Sequence, residues 1–88
     1  MPTISVFFGI VVQMYWRDHP PPHLHAYYQG FEALFSLSDG AIIGGGLPPG
    51  ATRIVRGWIA ERRGELMDNW ERARVRQPLQ SVAGADQQ

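Results

Sequence analysis

With 88 residues, 44% of them hydrophobic and 18% charged, the chain has the size and composition of one small globular domain rather than a disordered segment. It contains no cysteine, which excludes a disulfide framework and a thiolate zinc site. The formal net charge is zero but uneven: Arg17 faces Asp18, Glu32 and Asp39 over residues 1–50, while residues 51–76 hold seven arginines against four acids.

The opening MPTISVFFGIVVQMYW is apolar, yet it lacks a basic n-region and a small-residue cleavage site and is interrupted by Gly9. It therefore reads as strand rather than signal peptide, and a cytoplasmic location is expected. No run is long enough to cross a bilayer as a helix. Ile4, Val6 and Phe8 alternate before Gly9, and Ile10, Val12, Met14 and Trp16 alternate after it. That pattern fits one bent strand or two strands meeting at a glycine bulge. HLHAYYQ resumes at His23 and ends in the tight turn Gln29-Gly30. FEALFSL then places Phe31, Ala33, Phe35 and Leu37 on one face, and Ser38-Asp39-Gly40 predicts a hairpin with a type I′ turn. A short AII segment precedes Gly44-Gly45-Gly46. Connections this short predict an antiparallel β-meander of four to five strands. Phe7, Val11, Tyr15 and Tyr28 fall out of phase with the core set, so apolar groups are expected on both faces, the second needing a protein partner or a homodimer.

LPPG breaks the sheet and opens a helix. From residue 51 to 76, Ile54, Val55, Trp58, Ile59, Leu66, Trp70 and Ala73 recur at three- and four-residue spacing and cover one arc, with Trp58 and Trp70 at core positions. Arg62 intrudes into the arc and Gly64 follows, which predicts one helix kinked near Gly64 or two helices divided there. The fold class is therefore α+β, a meander with the C-terminal helix, or kinked helix pair, on one sheet face. Residues 1–76 are expected to form the single domain and the polar segment 77–88 a flexible tail.

Every histidine lies in DHPPPHLH, residues 18–25. His23 and His25 are two apart on a strand and project from one face. A turn through the three prolines would bring His19 towards them. Three neutral imidazoles would hold zinc, nickel or iron(II) with an open coordination position, and Asp18 would serve as a fourth ligand or hold a histidine tautomer. The same histidines, without metal, have the chemistry of a general base and acid. A rigid structural or partner-binding corner is the third reading of the same residues, and the plainest.

Arg53, Arg56, Arg63 and Arg74 fall in one band beside the apolar arc. Such a row is a candidate phosphate track for nucleic acid. Glu61, Asp68 and Glu71 lie nearby, and the alternative is a solvated face of i, i+4 pairs such as Asp68 with Arg72. The glycine-rich 44–50 segment lacks a following lysine and is not a phosphate loop.

MPTIS, FFGIVVQMYWRDHPPPHLHAYY, the FEALFSL–SDG hairpin, LPPG and ELMDNWERAR together resemble a family of small bacterial proteins, domain of unknown function 4160 (DUF4160), over residues 2–80. Members commonly read DH-x-PPH-x-H, a pattern filled here by Asp18, His19, Pro21, Pro22, His23 and His25. Leu24 stands where many relatives carry phenylalanine, and Gly57 replaces a more usual acidic or polar helix residue. The resemblance implies a small stand-alone protein, often encoded beside another small domain as in toxin–antitoxin modules, and it transfers no catalytic residue. The leading functional expectation is a protein-binding module in such a toxin–antitoxin-like or regulatory pair. The alternatives are a hydrolase or nuclease using His19, His23 and His25, with or without metal, and nucleic-acid binding by the arginine band.

Overall fold

The computed structural model describes residues 2–87. Among them the chain forms β1 (Thr3–Phe7), β2 (Ile10–Gln13), β3 (His23–Tyr28), β4 (Phe31–Ser36), β5 (Ile42–Gly45) and one helix, α1 (Pro49–Arg74). The strands lie in the order β1-β2-β3-β4-β5, each antiparallel to its neighbour. This is the expected α+β meander followed by a helix.

Two of the connections are two-residue turns with positive φ at both positions: Phe8 and Gly9 at 52° and 76°, Gln29 and Gly30 at 48° and 84°. That is the type I′ geometry, whose twist matches the flanking strands. Gly9 therefore closes a hairpin instead of bending one strand. The Asp39-Gly40 turn is different from its expected type. Gly40 alone takes positive φ (74°), and Ser36 and Gly40–Ala41 close a wider loop through Gly40 N–H to Ser36 O (2.9 Å) and Ser36 N–H to Ala41 O (2.8 Å). Asp39 Oδ1 accepts the Ala41 N–H at 3.0 Å, which holds the loop without a primed turn.

Alternation in β1 breaks at a bulge. Thr3 pairs with Gln13 and Ser5 with Val12, so two steps of β1 oppose one of β2. Ile4 and Phe7 consequently both enter the core, and Val6 and Phe8, expected inside, are exposed. Ile10, Val12 and Met14 are buried as expected, as are Ala33, Phe35 and Leu37, while Trp16 and Phe31 are exposed. Of the four residues assigned to the second apolar face, Phe7 is core and Tyr28 packs against it; Val11 and Tyr15 are half-buried.

Helix α1 begins at Pro48-Pro49 and lays Val55, Trp58, Ile59, Leu66 and Trp70 on the sheet residues Ile4, Phe7, Val12, Leu24 and Phe35. The Phe7 and Trp58 rings meet at 4.8 Å. Full burial of side chains this large contributes about 1.5–3 kcal/mol each. The kink falls at Arg62, whose backbone (φ −110°, ψ 17°) leaves the helical region two residues before Gly64. Ile54, counted in the apolar arc, is exposed.

The segment after the helix differs from the flexible tail expected of it. Val82 is buried, Leu79 packs on the core, and Val82 N–H donates to Ile4 O at 2.8 Å. Trp58 Nε1 donates to Ala83 O at 2.7 Å, and the buried Asn69 side chain exchanges two hydrogen bonds with the Gln80 backbone, at 2.8 and 2.9 Å. A tryptophan N–H and a buried amide must find partners, and this polar stretch supplies them with its backbone. Composition alone does not reveal such pairing.

Candidate metal centre

The corner between β2 and β3 is tied down on three sides. Arg17, at φ 61°, donates its N–H to Ala73 O near the end of α1 (3.3 Å), and Trp16 Nε1 donates to Gln77 O (3.2 Å). Leu37 N–H donates to Pro22 O at 3.0 Å, and the Pro20–Pro21 peptide bond is cis. Asp18 Oδ1 accepts the His19 N–H at 2.9 Å, which leaves Oδ2 turned to the start of β3.

There Oδ2 lies 3.0 Å from His23 Nε2 and 3.2 Å from His25 Nε2. The opposite ring nitrogens point outward to acceptors: His23 Nδ1 to Pro21 O at 2.8 Å and His25 Nδ1 to Glu32 Oε2 at 3.3 Å. If each Nδ1 carries its proton towards its acceptor, both neutral Nε2 atoms present lone pairs to one carboxylate oxygen. Three electron-rich atoms facing one another are unfavourable unless a proton or cation lies among them. The ligand atoms of Asp18, His23 and His25 all fall within 4.8 Å of one another. Metal bonds of about 2.1 Å at tetrahedral or right angles separate donors by about 3.0–3.4 Å, close to the two spacings found. Outward Nδ1 bonds to a carbonyl and a carboxylate are the support that metal-ligating histidines usually have.

His23 is nearly buried, its ring 5.3 Å from that of Trp70. The edge of Tyr15 meets the His25 ring at 4.3 Å, and Tyr27 lies parallel to it at 6.5 Å. The two tyrosine hydroxyls are hydrogen-bonded to each other, and Tyr15 donates to Gln13 Oε1 at 3.3 Å, so the shared proton is that of Tyr27. Burial first, then the bond to Tyr15 and the charge of Glu32, push the Tyr27 phenol well above the usual tyrosine range. Burial works against ionised Asp18; with no cation bound and protons on the facing Nε2 atoms instead, the hydrogen bond from His25, that from the His19 N–H and the charge of the two imidazoles outweigh it and hold the carboxyl below its ordinary value.

The converging set is thus two histidines and a carboxylate, not the three histidines brought together by the expected turn. His19 is exposed and its ring is outside the cluster. Glu32 is the residue the sequence reading missed. The Gln29-Gly30 turn held the signal: a two-residue hairpin pairs Tyr27 with Glu32 and His25 with Leu34, which puts Glu32 diagonal to His25. The arginine band divides. Arg53, Arg56 and Arg63 line one groove, whereas Arg74 is bound to Glu71 at 2.7 Å.

The sequence model of a family described as domain of unknown function (DUF4160) matches residues 9–71. The chain belongs to this family. The match includes Asp18, His23, His25 and Glu32 and leaves out β1 and the segment that closes on it. No curated protein and no solved structure matches this DUF4160 chain. No helix among the described residues is long and apolar enough to cross a membrane.

Proposed function

We propose that this DUF4160 protein binds a divalent transition metal through Asp18 Oδ2, His23 Nε2 and His25 Nε2, in a centre of the kind used for metal-assisted hydrolysis. One observation carries the reading: both Nε2 atoms converge on one carboxylate oxygen while both Nδ1 atoms are held from behind. Nitrogen and oxygen donors without thiolate suit zinc, nickel or iron(II), and three protein ligands leave positions for water and substrate. A metal there supplies a Lewis acid and a water that ionises near neutrality. The chain's own part is to fix the imidazoles: Pro21 O and Glu32 orient the rings, and Trp70 and Tyr15 limit their rotation.

The test is metal content by mass spectrometry and titration calorimetry on tag-free protein, for wild type, Asp18→Ala, His25→Ala and His19→Ala, with folding checked by circular dichroism. One equivalent is expected in wild type and His19→Ala and a loss of at least tenfold in affinity in the other two. No binding in folded wild type, or an equal loss in His19→Ala, removes the reading.

A second reading, a protein-binding module in a toxin–antitoxin-like or regulatory pair, is supported by a separate observation. Phe8 and Phe31 are 59% and 51% exposed beside the two type I′ turns, which lie at the same end of the meander. A protein partner or a second copy would cover them. Analytical ultracentrifugation and affinity capture compare wild type with Phe8→Ser/Phe31→Ser; a monomer without a specific partner in both would end this reading.

A further inference from the structure

Away from the Asp18 corner, α1 carries a second cluster of charge. Arg53, Arg56 and Arg63 line a groove of about 770 Å³ whose apolar lining includes Leu47, Gly57 and Ala60. Arg63 is fixed in place, because its Nε donates to Leu37 O at 2.8 Å and leaves both terminal amino groups to other acceptors. Among the described residues none of these three arginines has a carboxylate within 4.0 Å, whereas Arg62 and Arg74 are held by Glu65 and Glu71. Asp39 also lines the groove, with one carboxylate oxygen engaged by the Ala41 N–H. Three cations against one anion leave the groove electropositive. Pro49 and Thr52 close the lining from the first turn of α1, a helix end with no side-chain cap and no acid, so its partial positive charge adds to the same field.

We propose that this groove binds a small molecule bearing two or more linked phosphates. Its volume lies in the range of small-molecule sites, about 300–1,000 Å³. Arginine forks match phosphate oxygens in pairs, and the apolar lining accommodates an uncharged body attached to them. Arg53 and Arg56 lie about 4.5 Å apart along the axis at about 1.5 Å per residue, a spacing for adjacent linked phosphates, and Arg63, about 15 Å beyond Arg53, would meet the far end of a longer ligand. A continuous nucleic-acid track needs the row to go on. It does not, since Arg74, the next member of the band, is bound to Glu71 through both Nε (3.1 Å) and a terminal amino group (2.7 Å). On this proposal the ligand engages three of the four arginines of the band expected from the sequence, and the RNA arm of the test below decides between it and the four-arginine nucleic-acid surface.

The groove shares no residue with Asp18, His23, His25 or Glu32. Pyrophosphate titration in the presence of EDTA therefore tests it with the metal centre out of play. Calorimetry and amide chemical shifts are followed for wild type, Arg53→Gln/Arg56→Gln and Arg74→Gln, with a twelve-nucleotide single-stranded RNA as the competing polymer. The expected result is saturable one-to-one binding that weakens with salt and falls at least tenfold in the double variant. Arg74→Gln should bind as wild type, and shift changes should centre on residues 49–63. Absence of saturable pyrophosphate binding overturns the proposal, as does equal binding by the folded double variant. Binding confined to the RNA overturns it in favour of a polymer surface.

Discussion

Gly45→Ala is expected to destabilise the domain far more than its one added methyl suggests. Gly45 ends β5 at φ +65°, and a β-carbon there would overlap the carbonyl oxygen of Glu32. It would also sit 3.1 Å from the Glu32 carbonyl carbon and 3.3 Å from Ala33 Cα. These are backbone atoms of a central strand and cannot rotate aside, so β5 must retreat by about 1 Å to recover normal contact. Left-handed backbone costs an L-residue about 1–2 kcal/mol. The retreat also strains the Gly46 N–H bond to Glu32 O, now 2.9 Å. Such a bond is worth about 1 kcal/mol net. The total, about 2–3 kcal/mol, lowers Tm by about 10–20 °C in a domain of this size. Thermal and urea unfolding followed by tryptophan fluorescence measure it, with Gly46→Ala as the control, since a β-carbon at Gly46 meets nothing within 4 Å. A Tm for Gly45→Ala within about 2 °C of wild type would refute the reasoning.

Glu32→Ala should leave the fold intact and weaken metal binding by about 10- to 100-fold, because His25 loses the acceptor behind its ring; calorimetry showing unchanged affinity would separate Glu32 from the centre. Deleting residues 77–88 should cost about 3 kcal/mol or more, through lost burial of Val82 and Leu79 and through Asn69 and Trp58 left without partners. Unfolding of the truncated chain at the wild-type urea midpoint would contradict that packing. Tyr27, with its phenol shifted up, contributes stability that is complete below the ordinary tyrosine range of about 10 and is lost as pH rises towards its folded value. Absorbance at 295 nm, wild type minus Tyr27→Phe, should show no Tyr27 ionisation in the ordinary range while the chain stays folded.

Much of the architecture was legible because the local signals agree. Alternation in residues 10–14 and 33–37, the Gln-Gly turn and the helical spacing from Val55 to Trp70 all point to one arrangement. The errors have definite physical sources. A bulge in β1 changes parity without any glycine or proline to mark it, and Phe8 takes positive φ because the hairpin twist and its Gly9 neighbour demand it. The corner was visible as composition, but its ligand set was not, since spacing along three prolines does not fix where an imidazole points. His19 leaves the cluster, and its backbone, not its ring, helps to orient Asp18. The last stretch reads as a flexible tail because it is polar; it packs through backbone carbonyls and amides, which every sequence carries.

The bond from Val82 to Ile4 joins residues from near opposite ends of the described chain. During synthesis β1 can pair with β2 at once, but its outer rim stays unpaired until the helix and the residues beyond it have emerged. An unpaired strand rim is where nascent chains stick to one another. The closing segment thus covers part of that rim, through the backbone bond to Ile4, as well as packing on the core, and it shortens the time for which β1 is exposed. Expression at high levels tests how long that interval lasts, and chains interrupted before Val82 are the ones that should accumulate as insoluble protein.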